Sequence, residues 1–373
     1  MNSTLSLPLT TSASLPGLLD VPSAELKAWL AERGEPAHRV KQLRRWLLVA
    51  GAESFEEMTD LSKGLRSALA EAFVPLKSRV VRHLTADDGT HKLLVDPGDG
   101  TSIECVLIQD ANRRTACIST QVGCGMGCVF CASGINGVER NLTTGEMLEQ
   151  LIRLRNLPAH DAERRRQQTE SGAKVDRLTH IVVMGMGEPL ANLDNLLAGL
   201  ETAIAKDGLG IGARHVTISS VGLPDRIRQL ADFGKQYSLA VSLHAPDDYL
   251  RTQIVPTNDK IGLAPILAAT EYFFEKTGRQ VTFEYVLLGG VNDQPKHARD
   301  LARLLQGRQA HVNLIPFNDV KDLPYRRPTI EAIADFQTQL RNHGISVKVR
   351  KRKGSQIDAA CGQLRRSEMT TKL

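Results

Sequence analysis

Three cysteines occur close together in the segment Cys124-Gly-Met-Gly-Cys128-Val-Phe-Cys131. Spacings of four and three residues let all three thiolates reach one small object. A 4Fe-4S cluster is such an object, because it has four corners and its irons take thiolate ligands. Three protein ligands would leave the fourth iron open to another molecule. The spacing therefore predicts a cluster held by Cys124, Cys128 and Cys131, and with it one-electron chemistry.

The two other common uses of cysteine fit this segment less well. Structural zinc usually takes four ligands from paired C-x-x-C units, and no fourth Cys or His follows at that spacing. Disulfide frameworks are typical of short secreted chains, whereas this chain has 373 residues and six cysteines. The sequence thus favours the cluster.

The composition predicts a folded chain with an aliphatic core. Hydrophobic residues make up 42% of the sequence but aromatic residues only 4%, as in sheets rich in Val, Ile and Leu. No apolar run reaches the roughly 18 residues that would predict a membrane-spanning helix. Because an iron–sulfur cluster and free thiols both suit a reducing compartment, we expect a cytoplasmic protein.

Basic residues are concentrated in two runs, at 38–46 and 348–353, and the net charge is +5. A single basic run is more often a solvated surface than a binding site. Two runs on either side of a catalytic core instead favour a phosphate-rich partner such as nucleic acid.

Hydrophobic periodicity divides the chain into parts. Apolar residues recur at helical spacing before residue 76, strand-like segments follow, and from residue 115 strands alternate with helices. This alternation requires parallel strands with helices outside, so we expect an α/β fold, a partial (β/α)6 TIM-like barrel rather than a closed eightfold one. The predicted parts are a flexible tail (1–20), a helical accessory domain (21–76), a β linker or extension (77–112), the barrel (113–350) and a C-terminal loop and tail (351–373).

The barrel elements can be placed individually. The polar stretch 157–177 is predicted to be a surface loop or the end of a helix. Predicted strands are 116–120, 180–184, 215–219, 239–243, 281–287, 311–315 and 346–349, and predicted helices are 144–155, 192–206, 223–233, 263–276, 294–305 and 329–342.

In a barrel of this kind, the reactive groups lie on the loops that follow the strands. Gly187 and Glu188 follow the second predicted strand, where a glycine lets the backbone approach a ligand and a carboxylate can accept a hydrogen bond from an amine. Short polar groups follow later strands, and helix capping is the alternative explanation for them. The candidate cofactor-binding residues are Gly187, Glu188, Ser219, Ser242, Leu243, His244 and Asn318.

The other three cysteines lie apart from the cluster segment. Cys105 lies in an apolar strand on the face opposite Glu104, which predicts a buried, small hydrophobic side chain. Cys117 lies within the first predicted barrel strand. Cys361 follows the second basic run among small residues, so it is either an inert thiol of the tail or a thiol that a flexible loop carries into the site.

Several longer strings give the chain a recognisable pattern. It resembles the radical-SAM RNA adenine methyltransferases, the group of RlmN and Cfr, and it is more similar to RlmN. The resemblance runs from about Arg39 to Leu364. The matching strings begin at Phe55, Gln121, Met184, Ser242, Ile254, Val291, Asn313 and Asp358.

The resemblance implies a reaction that uses two molecules of S-adenosylmethionine (SAM) per turnover. Cys361 would take a methyl group from the first SAM. The second SAM, bound at the open iron, would be cleaved to a 5′-deoxyadenosyl radical that removes hydrogen from the S-methyl group. The resulting carbon radical would add to carbon 2 of adenine. Cys117 would then resolve the adduct through a transient disulfide with Cys361, and Glu104 would accept a proton.

The resemblance also implies the partners. The substrate would be adenine 2503 of 23S rRNA and, in some members, adenine 37 of tRNA, with an electron donor such as flavodoxin or ferredoxin. We expect a monomer without a membrane partner. Three alternatives stay open: Cfr-like methylation of carbon 8, an RNA-binding protein with a purely structural cluster, and a radical-SAM enzyme that acts on a small molecule.

Overall fold

The structure is a computed structural model that describes residues 15–110, 113–157, 177–320 and 323–364. The N-terminal part is helical, as the apolar spacing predicts. Buried leucines on three helices, among them Leu30, Leu43 and Leu69, face one another. The hydroxyl of Ser62 accepts a hydrogen bond from the Leu65 amide and caps the third helix. The helices are α1 (Ser23–Ala31), α2 (Arg39–Arg45) and α3 (Lys63–Ala72), with a π-helical turn at Trp46–Ala50.

The end of the predicted flexible tail is ordered, so the boundary at residue 20 is wrong. Gly17 pairs with Val74 in a parallel bridge, and Leu18 is buried. The Asp20 carboxylate accepts hydrogen bonds from the Thr143 hydroxyl and from the Gly145 amide, at 3.0 and 2.7 Å. A carboxylate at a helix N-terminus is favourable, and this one ties the N-terminal segment to the barrel.

One sheet of ten strands dominates the remainder of the described chain. The strands are β1 (Arg79–Thr85), β2 (His91–Asp96), β3 (Ile103–Asp110), β4 (Arg113–Cys117), β7 (His180–Val183), β8 (Val216–Ser220), β9 (Ser238–Ser242), β10 (Val281–Leu287), β11 (Ala310–Pro316) and β12 (Ser346–Val349). Their order in the sheet is β1-β2-β3-β4-β7-β8-β9-β10-β11-β12, antiparallel from β1 to β4 and parallel from β4 onward. The three strands between Arg79 and Asp110, in the part predicted as a linker or extension, therefore continue the barrel sheet.

Seven parallel strands joined by six helical crossovers confirm the predicted partial barrel. The long, largely apolar strand β10 is buried on both faces, as expected for a parallel strand covered by helices. A capping box between Thr143 and Glu146 starts the first crossover helix. The helices are α4 (Thr144–Asn156), α5 (Leu193–Ile204), α6 (Pro224–Asp232), α7 (Asp248–Ile254), α8 (Asn258–Ile261), α9 (Leu263–Thr277), α10 (Pro295–Leu305) and α11 (Ile330–Asn342).

Two smaller features complete the fold. A hairpin of β5 (Gln121–Gly123) and β6 (Val138–Asn141) frames the cysteine segment. Most of the stretch 157–177, predicted as a loop or helix end, lies outside the described residues. Within the described ranges, no helix is long and apolar enough to cross a membrane.

Candidate active site

A cavity of about 160 Å³ lies where the parallel strands end. Glycines and small side chains form much of its wall, which leaves room for a ligand. Three predicted site residues, Glu104, Cys117 and Leu243, do not line it. The predicted residues that do are Cys124, Cys128, Cys131, Gly187, Glu188, Ser219, Ser242, His244, Asn318 and Cys361.

The cysteine loop has a fixed shape. Gly123 has a φ of 80°, and a Cβ there would lie 2.1 Å from the Gly137 carbonyl oxygen, so only glycine fits. The Cys124 amide donates to that same oxygen at 2.9 Å, and the Cys131 amide donates to the Cys128 carbonyl at 3.1 Å. The loop therefore turns tightly enough to direct three thiols into one cavity.

The electrostatics of these thiols suit a metal cluster. Burial raises the pKa of Cys124 to about 12, and it raises the pKa of Cys128 further, where the charges of Cys131 and Cys124 add repulsion. A bound metal deprotonates its thiol ligands and supplies the missing positive charge. Among the described residues, no three metal-binding side chains are grouped as one ion requires. Three thiols that line one cavity fit the thiolate ligands of a cluster.

Glu188 joins two loops at the edge of the cavity. Its carboxylate oxygens accept hydrogen bonds from the Leu190 and Val221 amides, at 3.0 and 2.8 Å, and burial raises its pKa. Gly187 has a φ of 101°, and a Cβ there would lie 2.7 Å from the side chain of Gln121. A carboxylate has about four acceptor positions, so Glu188 can also accept a bond from a ligand amine.

His244 is a buried neutral donor in the wall of the cavity. Its φ of 62° is unusual for a residue other than glycine, and its Nδ1 accepts a hydrogen bond from the Val286 amide at 3.1 Å. Burial, together with the charge of Arg251, lowers its pKa to about 3. The neutral ring therefore carries its proton on Nε2, where it can donate to a ligand.

Ser219 and Asn318 reach the cavity, as predicted, and do not cap helices. The helix after β8 has Leu223 at its N-cap, with no side-chain cap. Asn318 donates through its side-chain amide to the Cys361 carbonyl oxygen at 3.2 Å. Asn318 therefore helps to hold the C-terminal segment against the cavity.

Cys361 is half-buried and lies near other reactive and charged side chains. Cys117 is buried, and burial together with the nearby Cys361 raises its pKa to about 12. Arg350 lines the cavity, and the charge of Cys361 is the main cause of the raised pKa of its guanidinium, followed in the same direction by Glu284 and Cys117. The structure thus brings Cys117 and Cys361 to one cation, although Cys117 itself does not line the cavity.

Comparison with known proteins agrees with this geometry. The model of the Radical SAM superfamily matches residues 118–302, and the model of the ribosomal RNA large subunit methyltransferase N-terminal domain matches residues 17–74. A protein of Rhodopirellula baltica named "Probable dual-specificity RNA methyltransferase RlmN" is 51% identical over 97% of this chain and 96% of its own. A protein of the same name from Thermosynechococcus vestitus is 44% identical over 94% of this chain and 99% of its own.

The chain belongs to the RlmN family of radical-SAM RNA methyltransferases. A crystal structure of a radical SAM methyltransferase from Sphaerobacter thermophilus matches with a TM-score of 0.86 and 42% identity, over 94% of this chain and 99% of that one. The cofactors of an RlmN-family enzyme are a 4Fe-4S cluster and SAM, and the three cavity thiols fit the cluster.

Other residues of this RlmN-family site were not found by sequence reasoning. Arg251 is fully buried, and its guanidinium donates to the carbonyl oxygens of Leu243, Ser242 and Val221 at 3.0, 2.9 and 2.6 Å. Leu243 is buried, does not line the cavity, and provides one of these three carbonyl oxygens. Its role in cofactor binding stays a prediction. An arginine in a short helix looks like a surface residue in the sequence, so no signal identified it.

Arg350 and Glu284 were also missed as parts of the cavity. Arg350 belongs to the basic run 348–353, which favours a phosphate-rich partner, but it is half-buried, whereas Lys348 is exposed. Glu284 is buried and accepts hydrogen bonds from the Asn313 side-chain amide at 2.9 and 3.2 Å. Burial raises the pKa of Glu284, while Arg350 opposes that rise.

Glu104 lies in a different cavity from the one that Cys361 lines. It forms an ion pair with Lys92 at 3.0 Å, and both face a space of about 280 Å³ that residues 356–358 also line. The register of β3 and β4 pairs Val106 with Cys117, so Glu104 shares a sheet face with Cys117. Its role as proton acceptor stays a prediction. Cys105 is fully buried, as predicted.

Proposed function

We propose that this enzyme transfers a methyl group from Cys361 to carbon 2 of adenine 2503 in 23S rRNA and of adenine 37 in tRNA. One observation carries the proposal: Cys361 lines the same cavity as the three cluster thiols and lies near Cys117 and Arg350. The dual-specificity name of the relatives and the rRNA methyltransferase N-terminal domain support RNA of both kinds as substrate.

The cavity residues divide into two groups. Cys124, Cys128 and Cys131 would hold the cluster. Gly187, Glu188, Ser219, Ser242, His244 and Asn318 would bind and orient SAM, with Glu188 as an acceptor for its amine and His244 as a neutral donor. When bound, these cofactors supply radical chemistry, which adenine requires because its carbon 2 is not nucleophilic enough to attack a sulfonium directly.

We assign distinct tasks to Cys361 and Cys117 in the proposed reaction. Cys361 must lose its proton to accept a methyl group, and Arg350 lines the same cavity. Cys117 stays a thiol until it is needed, because burial disfavours its charge. A Cys117–Cys361 disulfide would release the RNA, and two electrons from outside would then restore both thiols. Glu104 would accept the proton that leaves the base, and the radical adduct would return one electron to the cluster before the disulfide forms.

The partners follow from the same chemistry. The cluster would receive its electron from a donor such as flavodoxin or ferredoxin. The adenine must leave its stack to enter the cavity, which favours loops and single strands as targets. We propose that the enzyme acts as a monomer in the cytoplasm, where these RNAs and a reducing environment are found.

The test replaces Cys117 and Cys361 separately. Cys117→Ala should transfer the carbon but fail to release the product, so RNA stays covalently attached at Cys361. Cys361→Ala should trap no RNA and transfer no methyl group. Mass spectrometry of the protein detects the methyl group on Cys361, and a denaturing gel detects the adduct.

Three results would contradict the proposal. Normal turnover by Cys117→Ala would assign the resolving role elsewhere, with Cys105 as the next candidate. Absence of a methyl group on Cys361 would support a structural cluster in an RNA-binding protein, or chemistry on a small molecule. Nucleoside analysis that finds 8-methyladenosine would establish the Cfr-like reaction instead.

A further inference from the structure

The segment that carries Cys361 is attached to the barrel on two sides. On its C-terminal side, the Ala132 amide donates to the Gly362 carbonyl oxygen at 2.8 Å, and the Ser133 hydroxyl donates to the Leu364 carbonyl oxygen at 2.6 Å. These residues directly follow the cluster ligand Cys131. This side therefore rests on the predicted cofactor-binding loop.

The N-terminal side rests on the turn between β1 and β2, which we call the docking turn (residues 86–90). The Gly354 amide donates to Oδ2 of Asp88 at 2.9 Å. Gln356 makes two bonds: its Nε2 donates to Oδ2 of Asp87 at 3.0 Å, and its Oε1 accepts from the Asp87 amide at 3.1 Å. Because the Gln356 side chain pairs with both the carboxylate and the backbone amide of Asp87, it fixes the orientation of the segment as well as its distance from the turn.

Backbone geometry also fits the segment to this turn. Gly354 has a φ of 66°, and a Cβ there would lie 2.8 Å from the Thr90 methyl carbon, so the approach is as close as glycine permits. Asp358 has a φ of 50°, and Nζ of Lys92 donates to its carbonyl oxygen at 3.1 Å. A positive φ in a residue other than glycine persists where the surroundings hold it.

We propose that the docking turn positions Cys361 in the cavity, with Asp87, Asp88, Lys92 and Gln356 as positioning residues. This part of the sheet, predicted as a linker or extension, thereby acquires a task in the reaction. Cys361 is half-buried between the two attachments. From there its thiol can react in turn with SAM, with RNA and with Cys117. Holding a group close to its reaction partners raises its effective concentration without any new contact.

The role of Cys361 as methyl carrier belongs to the proposed function, but the attachment of its segment can be tested without it. The experiment uses cluster-loaded protein under anaerobic conditions, with neither SAM nor RNA. Iodoacetamide alkylates accessible thiols, and mass spectrometry follows each cysteine separately. Failure of the proposed function would leave these rates unchanged, whereas failure of the docking turn would appear in them.

Gln356→Ala removes two hydrogen bonds and Asp87→Ala removes one, because the Asp87 amide remains. Loss of one bond should raise the alkylation rate of Cys361 about fivefold, and loss of both should raise it further. The double variant should match Gln356→Ala, since Asp87 acts through Gln356. Asp87→Asn keeps an acceptor oxygen and should behave as the parent. Both residues are exposed, so folding should survive.

Asp96→Ala is the matched control. The Asp96 carboxylate also accepts two backbone hydrogen bonds, from Gly98 and Gly100, at the other end of β2. No hydrogen bond between the described residues joins Asp96 to 354–364. Asp96→Ala should therefore leave the alkylation rate of Cys361 unchanged. If the alkylation rate of Cys361 rose equally in Asp96→Ala and Gln356→Ala, the effect would come from a general loss of stability, and the proposal would be overturned.

Turnover and hydrogen exchange complete the test. Gln356→Ala should speed amide exchange in residues 355–361. It should also lower kcat for RNA methylation and leave the KM for RNA unchanged. Asp87→Asn should keep the kcat of the parent, in contrast to Asp87→Ala. Unchanged alkylation and exchange in Gln356→Ala would overturn the inference. A raised KM with an unchanged kcat would also overturn it, because the turn would then act in RNA binding.

Discussion

Loss of a thiol from the cysteine loop should lower the iron and sulfide content of the protein, whereas loss of the Cys105 thiol should not. Cys124→Ala, Cys128→Ala and Cys131→Ala should each lower the iron and sulfide content severalfold after anaerobic reconstitution, because two thiolates hold a cluster poorly. Cys105→Ala should keep full content, since Cys105 is buried in β3 away from the cavity. Full iron and sulfide in any one loop variant would remove that cysteine from the ligand set.

His244 should make the stability of the protein depend on pH. Its pKa is about 3 in the folded state and near 6.5 when unfolded, so the unfolded chain binds its proton more readily between these values. The contribution of His244 is complete above pH 6.5 and is lost as the pH falls toward 3. The slope is at most about 1.4 kcal/mol per pH unit.

The variant His244→Asn isolates this contribution. Asparagine tolerates a positive φ, and its side-chain oxygen can accept the Val286 amide. Urea denaturation of the cluster-free protein between pH 5 and 7 should show a shallower rise of stability with pH than in the parent. His343→Asn, at an exposed histidine, serves as control. Equal slopes in His244→Asn and the parent would show that His244 is not held neutral.

At the scale of single elements, the end of β12 divides its basic residues between two tasks. Arg350 turns into the cavity, while Lys351 and Arg352 are exposed and Lys353 is half-buried. Replacing Lys351, Arg352 and Lys353 with Gln should weaken RNA binding. The slope of log affinity against log salt should fall by roughly 0.7–0.9 for each phosphate that the variant no longer neutralises. Methylation of Cys361 itself should persist, because it needs no RNA.

A control triple variant tests whether position or total charge matters. Exposed basic residues near the C-terminal ends of helices lie at the opposite end of the barrel from the cavity. Their replacement should leave RNA affinity unchanged across the salt series. Equal decreases in affinity in both triple variants would show that only the net charge is being sensed. The control residues are Lys276, Arg303 and Arg341.

Sequence patterns predicted the elements better than the directions of their side chains. The bounds of β10, which is largely apolar, and of β12, where valines alternate with polar residues, were predicted correctly. The first barrel strand was predicted at 116–120 but lies at Arg113–Cys117, since pairing with β3 extends it backward. A local sequence pattern cannot predict such pairing, because the pairing depends on a strand elsewhere in the chain.

In the site, too, positions along the chain were predicted better than contacts between side chains. Cysteine spacing predicted the loop that lines the cavity, and loop position after strands predicted Glu188, His244 and Asn318 as lining residues. Arg251 and Glu284 escaped prediction because their partners are backbone oxygens and side chains brought together only by folding. The basic run 348–353 gave no sign that the cavity takes in Arg350 and leaves Lys348 exposed.

At the scale of the whole molecule, the N-terminal helices and the barrel share one continuous hydrophobic core. Glu149 on α4 links the two parts: its carboxylate accepts hydrogen bonds from the Lys77 amide at 2.8 Å and the Ser78 amide at 2.5 Å. Burial raises the pKa of Glu149, and these bonds oppose the rise. A buried carboxylate therefore strengthens the junction, alongside the shared core and the contacts of Asp20.

Glu149→Ala should lower the free energy of unfolding by about 2–4 kcal/mol, because it leaves two amides without their acceptor. Urea denaturation monitored by circular dichroism measures the change. Glu149→Gln keeps one acceptor oxygen and should lose about half as much. Glu275→Ala, at an exposed position on α9, is the control. A decrease below about 0.5 kcal/mol in Glu149→Ala would show that the junction does not rely on this residue.

The bond from the Ala132 amide to the Gly362 oxygen has a consequence for how the enzyme fails. It joins the residue after one cluster ligand to the residue after Cys361. Oxygen that destroys the iron centre would therefore also loosen the hold on the half-buried thiol. Air-exposed preparations should contain overoxidised or glutathione-capped Cys361 together with missing iron, and restoring iron alone should not recover them.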